Sequence, residues 1–234
     1  MPYYKTNIGS LFDRIASSYD RLNHLLSFNI DRRWRRQAVR QLRPCDKLLD
    51  VAIGTADLSI EVLRQQKAQH ITGIDLSTEM MRLGKQKVDA YFTKHPTASD
   101  VLFLEASALD IPFPDDSFDA VTCSYGVRNF SDMDCGLNEM YRVLKPGGQL
   151  IIMDFGYPTN PLIRFVYNLY FSHILPTIGG WFSHDKAAYN YLNRSVKSFP
   201  FGDTMLARLR SAGFTSTTAH RQTFGISYIY CACK

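Results

Sequence analysis

Apolar residues recur at two different periods along this chain of 234 residues. In residues 8–25 they recur every three or four positions, which predicts an amphipathic helix. A second helix is predicted to begin after Asp31, a good N-cap residue, and to end before Pro44. Beyond it, short apolar runs alternate with helical patterns as far as residue 155. This alternation predicts a parallel sheet flanked by helices.

The alternating region divides into short strands and longer helices. Strands are predicted at 47–52, 71–75, 101–105, 119–124 and 149–155, and helices at 58–66, 77–91 and 134–144. The last two apolar runs, 214–220 and 226–233, have no helical pattern between them and predict an antiparallel pair. A single α/β domain is expected, because such domains are common at this length.

Residues 156–200 interrupt this rhythm with an insertion rich in Tyr, Phe and Trp. Open α/β sheets bind ligands outside the carboxyl ends of their strands, and the insertion follows such an end. It is therefore predicted to form a wall of the substrate site. The alternative is a helical cap with its own core.

Composition narrows the class of protein without identifying a partner. Hydrophobic residues make up 45% of the chain and charged residues 21%, which excludes disorder, collagen-like repeats and coiled coil. A net charge of +5 favours an anionic surface or ligand but is too weak to indicate nucleic acid. Five cysteines without framework spacing, and a start without an apolar leader, favour the cytoplasm. The window 161–182 is too interrupted to span a membrane.

Two segments suggest a nucleoside site. Small residues surround Gly54 in a turn between a strand and a helix, where a ligand can approach the backbone and the free N–H groups of the helix. An ordinary turn would look the same. Asp75 follows 21 residues later at the end of the second strand, where a carboxylate can accept both hydroxyls of a ribose. NAD and S-adenosylmethionine both fit this geometry, and an N-cap role for Asp75 is the structural alternative.

Two later segments separate these cofactors. After the third strand, Ser107 or Asp110 could bond an adenine edge before a Pro-Phe-Pro-Asp turn. In Leu144-Lys-Pro-Gly-Gly148, Pro146 should stop a helix and Gly147 should supply a left-handed cap. With Asp50 and Asp75, these segments resemble class I S-adenosylmethionine-dependent methyltransferases.

The resemblance narrows to the UbiE/MenG family of quinone C-methyltransferases. It is carried by residues 11–23, 26–36 and 124–129, and by Asp185, Tyr189, Tyr191, Leu192 and Ser195. It implies a Rossmann-like fold with a mostly parallel seven-stranded sheet, an antiparallel final strand, N-terminal helices and a helical insertion after the fifth strand. It also implies S-adenosylmethionine as cofactor and methyl transfer to a ring carbon of a demethylmenaquinol-type or related benzoquinol with a polyprenyl tail, in menaquinone or ubiquinone biosynthesis.

The resemblance divides the domain into an N-terminal helical lid (1–44), a cofactor-binding core (45–155), the aromatic insertion (156–200) and C-terminal strands (201–234). The residues expected at the cofactor are Asp50, Gly54, Thr55, Asp75, Ser107, Ala108 and Ser124. The chain departs from the family pattern at Ile53 and Ala56, where a larger side chain at position 53 could narrow the turn at the methionine end. It departs also at Ser107, near the adenine, where a hydroxyl can still donate and accept.

For catalysis the acceptor's hydroxyl must lose its proton, since a phenol with a pKa near 10 is largely neutral at pH 7. Arg128 and Asn129 are the expected donors to the oxyanion. His184, Asp185 and Asp154 are candidate bases for the ring proton, and Tyr189 could orient a hydroxyl. The structural alternatives are an arginine that holds its loop, an exposed histidine and a packed tyrosine. No metal site is expected.

A cluster of arginines in the second helix suggests a partner. Its members are Arg32, Arg33, Arg35, Arg36, Arg40 and Arg43. Because polyprenyl quinols reside in the bilayer, we expect this face to meet an anionic membrane surface, and the protein to be cytoplasmic and peripheral. A solvated basic face is the alternative, and a homodimer is left open. Competing functions are methylation of another small apolar acceptor, a nicotinamide-dependent oxidoreductase, and a non-catalytic lipid-binding module.

Overall fold

The structure is a computed structural model that describes residues 8–27, 29–170, 195–196 and 198–234. The helices are α1 Ile8–Leu26, α2 Ile30–Gln41, α3 Asp57–Arg64, α4 Thr78–Lys94, α5 Met133–Val143, α6 Pro161–Leu169 and α7 Asp203–Ser211. The strands are β1 Cys45–Val51, β2 Ala68–Asp75, β3 Asp100–Glu105, β4 Phe118–Ser124, β5 Leu144–Phe155, β6 Thr215–Gln222 and β7 Ser227–Cys233. A short 3-10 helix covers Val127–Asn129.

The seven strands form one sheet in the order β3-β2-β1-β4-β5-β7-β6. The pairs β3–β2, β2–β1, β1–β4 and β4–β5 are parallel, whereas β7 is antiparallel to both β5 and β6. This confirms the predicted fold class. The strand order reverses direction between β1 and β4, and open α/β sheets bind ligands at such a switch point.

Apolar layers cover both faces of the sheet. On one face, Trp34 and Leu42 of α2 pack with Leu48 of β1. On the other face, Met140 of α5 and Leu209 of α7 pack against the same sheet. Burial on both sides explains why the central strands read as continuous apolar runs rather than alternating ones.

The prediction that Asp31 caps the second helix was wrong. Helix α2 begins at Ile30 after Asn29, which has a left-handed backbone with φ of 61°. Asp31 lies in the first turn, buried, and accepts hydrogen bonds from the Ser27 hydroxyl and the Arg35 guanidinium. Because α1 and α2 are joined by a very short link, this carboxylate lies between them and pairs inward instead of capping.

The interpretation of Gly147 as a helix cap was also wrong. Helix α5 ends at Val143, and β5 already begins at Leu144. Gly147 does have a positive φ of 76°, but its N–H donates to the Lys234 carbonyl oxygen at 3.0 Å. The Leu-Lys-Pro-Gly-Gly segment therefore holds the end of the chain against the start of β5.

Helix α7 was missed, because residues 201–234 were expected to contain only strands. It has nine residues, too few for a strong periodic signal, and it buries Met205 and Leu209. The aromatic insertion begins with α6, and Phe199 near its end lies in the core. Within the described residues, the chain contains no helix with the length and apolar character needed to cross a membrane.

Candidate functional site

A crevice of about 890 Å³, partly open to solvent, lies at the carboxyl ends of β1, β2 and β4. Its walls come from the turn after β1, the end of β2, the segments after β3 and β4, and one side of α1. They include Ala52, Gly54, Asp75, Leu76, Ser107, Ala108, Ser124, Tyr125, Asn129, Gly9, Phe12 and Tyr19.

The turn after β1 brings bare backbone to the crevice. Ala52, Gly54 and Ala56 all have left-handed backbones, with φ of 56°, 55° and 61°. Among the described residues, the nearest atom to a Cβ built on Gly54 is the Ala52 carbonyl oxygen, at 4.0 Å. The space beside Gly54 therefore lets a ligand approach the main chain closely.

The Asp75 side chain, at the end of β2, is fixed by hydrogen bonds to backbone N–H groups. Its two carboxylate oxygens accept hydrogen bonds from the backbone N–H groups of Gly54, at 2.8 Å, and Ser77, at 2.9 Å. Ser77, not Asp75, is the N-cap of α4, since its hydroxyl accepts from the Met80 N–H. Burial raises the pKa of Asp75 above its ordinary value, against the opposing effect of these hydrogen bonds. A carboxylate has about four acceptor positions, so roughly two are left for ligand hydroxyls.

Asp50, predicted at the cofactor, lies behind the residues that line the crevice. It is buried, and its oxygens accept hydrogen bonds from the hydroxyls of Ser59, at 2.6 Å, and Thr122, at 2.8 Å. Burial raises its pKa to about 6. Asp50 therefore ties β1 to α3 and β4 and supports the turn from below.

Thr55 is buried under the N-terminal helix. Its hydroxyl donates to Asp20 of α1 at 2.6 Å and accepts from the Lys87 ammonium at 3.2 Å. Lys87 also bonds Asp20, at 2.8 Å, and Asp57. The side chain of Thr55 thus joins the turn to α1 and α4, and only its backbone position borders Gly54.

Ser107, Ala108 and Ser124, predicted at the cofactor, lie on the wall of the same crevice, at the ends of β3 and β4. The Ser107 hydroxyl accepts a hydrogen bond from the Leu109 N–H at 3.1 Å, and a hydroxyl can still donate while it accepts. This places a polar group and a small side chain on the wall nearest β3.

Helix α1 supplies wall residues that sequence reasoning did not single out. Phe12 and Tyr19 line the crevice, and their rings meet edge to face with centroids 5.9 Å apart. Asp13 accepts hydrogen bonds from the Ser77 hydroxyl, at 2.6 Å, and the Glu79 N–H, at 3.2 Å. Phe12 and Tyr19 are seven residues apart, two helical turns, and this spacing was the available signal.

The expected oxyanion donors occupy different depths. The Arg128 guanidinium is buried, donates to Asp154 at 2.9 Å and to the Tyr125 carbonyl oxygen, and lies 5.0 Å from the centre of the Phe155 ring. Asn129 lines the crevice and donates to the same carbonyl at 3.1 Å. Arg128 therefore has the contacts of the structural alternative, an arginine that holds its loop.

Asp154, a candidate base, is fully buried. It accepts hydrogen bonds from Arg128 and from the Phe155 N–H, at 2.8 Å. These contacts fit an anchor for Arg128 better than a base that reaches a ligand. His184, Asp185 and Tyr189 lie outside the residues that the structure describes.

Arg35 is turned inward, unlike its neighbours in the arginine cluster. Its guanidinium pairs with Asp31 and, at 3.3 Å, with Asp57. The exposed members of α2 are Arg32, Arg33, Arg36 and Arg40. The basic face is therefore smaller than the sequence suggested, because one arginine is used to join α2 to α3.

Comparison with known proteins gives a consistent result along the whole chain. Residues 3–234 match the model of the ubiE/COQ5 methyltransferase family. The ubiquinone/menaquinone biosynthesis C-methyltransferase UbiE of Geotalea daltonii is 46% identical, over 95% of this chain and 94% of that protein. The demethylmenaquinone methyltransferase of Thermus thermophilus is 40% identical, over 94% of this chain and 98% of that protein.

Solved structures agree on the fold. A SAM-dependent methyltransferase of Thermotoga maritima has a TM-score of 0.66 at 18% identity, over 97% of this chain and 99% of that one. Phosphoethanolamine N-methyltransferase 2 of Haemonchus contortus, solved with S-adenosyl-L-methionine, has a TM-score of 0.59 at 14% identity, over 82% of this chain and 49% of that one. At these identities the likeness shows the fold alone.

Proposed function

Because this chain belongs to the ubiE/COQ5 methyltransferase family, we propose that it methylates a ring carbon of a demethylmenaquinol-type polyprenyl quinol. The relatives named demethylmenaquinone methyltransferase support this acceptor over another small apolar molecule. The observation that carries the proposal is the crevice in which Gly54 and Asp75 meet at the ends of β1 and β2. A related benzoquinol is the alternative acceptor, supported by the relatives named ubiquinone/menaquinone biosynthesis C-methyltransferase.

The cofactor is S-adenosylmethionine, which supplies a methyl group on a positively charged sulfur. Asp75 accepts the ribose hydroxyls with the acceptor positions that its backbone hydrogen bonds leave over. Gly54 lets the methionine end approach the main chain. Ser107 and Ala108 border the adenine, and Ser124 closes the side next to β4.

The acceptor reacts as a phenolate, and this chain's donors stabilise the negative oxygen. Asn129 lines the crevice and can donate from its amide. Arg128, behind it, adds positive charge that Asp154 partly balances. His184 and Asp185 are proposed as candidate bases for the ring proton and Tyr189 as an orienting group, and the family pattern supports Asp185 and Tyr189. Alignment of the methyl group with the ring carbon in an apolar crevice contributes the rest of the rate gain.

A membrane surface is the proposed source of the quinol. Helix α6 exposes an apolar stripe at the spacing of one helical face, comprising Leu162, Phe165, Val166 and Leu169. Beside it, Phe224 is 63% exposed in the turn between β6 and β7. Tyr167, on the buried side of α6, packs against Ile226 just after that turn, which brings the helix and the turn together.

We propose that the exposed arginines of α2 meet the same bilayer. The Trp34 indole donates to the Thr223 hydroxyl at 2.8 Å, which joins the buried face of α2 to the turn that carries Phe224. Exposed basic residues such as Arg32, Arg33 and Arg36 suit an anionic bilayer surface, where each contributes about 1 kcal/mol.

Vesicle flotation tests this surface. Phe165→Glu and an Arg32/Arg33/Arg36 charge reversal should each lower binding to vesicles that contain phosphatidylglycerol. Leu102→Glu is the matched control, because Leu102 is also a well-exposed apolar residue, at 57% against 67% for Phe165, but lies on the edge strand β3. Equal losses for Phe165→Glu and Leu102→Glu would contradict the proposal.

One incubation tests the reaction itself. The protein is mixed with methyl-labelled S-adenosylmethionine and a panel of reduced demethylated quinols, and the products are analysed by mass. We expect one added methyl on the ring carbon of a naphthoquinol. Methylation of an oxygen, or of none of the quinols, would overturn the proposed acceptor.

A further inference from the structure

Helix α1 crosses the crevice in a defined direction. Near its start, Gly9 lies so close to Leu76 that a Cβ there would be 2.9 Å from the Leu76 carbonyl oxygen. Asp13 is bonded to Ser77, just after the ribose carboxylate. Asp20 is bonded to Thr55, in the turn after β1. The helix therefore runs from the ribose end of the crevice to the opposite end, which receives the methionine part of the cofactor.

Two aromatic rings project from α1 into this crevice. Phe12 and Tyr19 both form part of its wall, and their edge-to-face contact makes them one unit. Tyr19 directly precedes Asp20, which places it at the methionine end. Phe12 starts nearer the ribose end, beside Asp13, and its ring extends toward the methionine end through this contact with Tyr19. Burial raises the pKa of the Tyr19 phenol, so the ring stays uncharged at neutral pH.

The positive charges around Tyr19 are paired with carboxylates. Arg35 and Arg128 lie close enough to influence its phenol, but Arg35 pairs with Asp31 and Asp57, and Arg128 pairs with Asp154. Lys87 pairs with Asp20 and Asp57. A cation bound here would therefore meet aromatic surface rather than an unbalanced positive field.

We propose that the Phe12–Tyr19 ring pair recognises the positive sulfur of S-adenosylmethionine, so that α1 binds the charged cofactor more tightly than neutral S-adenosylhomocysteine. Aromatic rings attract cations, most strongly where water is excluded. Once the methyl group has left, the sulfur is neutral and this attraction ends. The ring pair thereby favours exchange of spent for fresh cofactor. The inference rests on the cofactor of the proposed function but not on its acceptor.

Calorimetry with two nucleosides tests the ring pair. S-adenosylmethionine and S-adenosylhomocysteine differ only at the sulfur, by one methyl group and one charge, so the ratio of their Kd values reports on contacts to the methylated, charged sulfur. Tyr19→Leu and Phe12→Leu should weaken S-adenosylmethionine binding by roughly 3- to 30-fold while S-adenosylhomocysteine changes less than about 2-fold. Tyr19→Phe, which keeps the ring, should keep the wild-type ratio.

Asp13→Asn is the matched control on the same helix. Asp13 bonds α4 and not the sulfur end, so its variant should weaken both nucleosides by the same factor. The proposal fails if Tyr19→Leu weakens binding of both nucleosides by the same factor, because the ring pair then does not distinguish the charged sulfur. It also fails if Tyr19→Phe changes the ratio of the Kd values as much as Tyr19→Leu.

The readout also separates this proposal from the proposed function. Retained S-adenosylhomocysteine binding shows that a variant is folded with an intact crevice. Loss of that binding in both leucine variants would overturn the proposal, since the rings would then support the crevice itself. If no quinol is methylated but the ratio changes as expected, the acceptor is wrong and the ring pair stands.

Discussion

Two carboxylates at the carboxyl edge of the sheet are used in opposite ways. Asp75 ends β2 and Asp154 lies near the end of β5, so both occupy the edge of the sheet where ligands bind. Asp75 is held by backbone N–H groups and lines the crevice. Asp154 pairs with the Arg128 guanidinium and is fully buried. A carboxylate held by amides can still bind a ligand, whereas one paired with a guanidinium holds a turn.

The largest effect is expected at the cofactor end. Asp75→Ala removes charged acceptors for two hydroxyls, each worth about 1.5–3 kcal/mol, so S-adenosylmethionine affinity should fall by roughly 10²- to 10⁴-fold. Titration calorimetry measures this affinity. Asp75→Asn is the control, because it keeps an acceptor for the Gly54 N–H and should lose less. Binding of Asp75→Ala within about tenfold of wild type would mean that this carboxylate only supports the turn.

At the acceptor end, stability should suffer before cofactor affinity. Arg128→Ala leaves Asp154 buried without its cation, and the free energy of unfolding should drop by about 3–5 kcal/mol. Cofactor affinity should change by less than about threefold. Denaturant unfolding and calorimetry measure the two quantities.

A paired replacement separates the structural and catalytic parts of Arg128. The double variant Arg128→Met/Asp154→Leu removes both charges and should recover most of the stability, since apolar side chains of similar size often replace a buried ion pair without loss. Turnover should stay low if the arginine charge stabilises the phenolate. Full turnover in this double variant would leave Arg128 with a structural role alone.

Asp50, behind the cofactor end, should make stability depend on pH. Burial raises its pKa from 3.8 to about 6, so the folded state holds this proton more tightly than the unfolded chain. Its contribution to the free energy of unfolding should therefore fall as pH rises from about 4 to 6, by up to about 3 kcal/mol. Asp50→Asn should be more stable than wild type at pH 7.5 and lose that advantage at pH 4. A difference in the free energy of unfolding between wild type and Asp50→Asn that stays constant from pH 4 to 7.5 would contradict the raised pKa.

The smallest effect concerns strain in the turn beside Gly54. Ala52 is left-handed and only partly buried, and this backbone costs about 1–2 kcal/mol for a residue with a Cβ. Glycine relieves that strain but adds about 0.4–1 kcal/mol of unfolded-state entropy. Ala52→Gly should therefore stabilise the protein by roughly 0.5 kcal/mol, which thermal unfolding would detect. A loss of stability would show that the Ala52 methyl group contributes more packing than strain.

The strand pattern and the cofactor end could be predicted because their signals are local. The apolar run of β1, the small residues around Gly54 and the carboxylate at Asp75 follow one another within thirty-one positions, from Cys45 to Asp75. Helix α7 and the true position of Asp31 could not be predicted. A nine-residue helix has little periodicity, and the direction in which Asp31 points depends on which helix packs beside it.

The sequence by itself determined the α/β class, the parallel core and the neighbouring positions of Gly54 and Asp75, since period and strand-end position follow from the order of residues. Only the tertiary structure decided that α1 covers the crevice and that Arg128 is anchored by Asp154. The physical reason is distance along the chain: Asp20 meets Thr55 across 35 residues and Asp13 meets Ser77 across 64. Hydrogen bonds and ion pairs of this range leave no periodic trace in the sequence, because they form only when separate elements pack together.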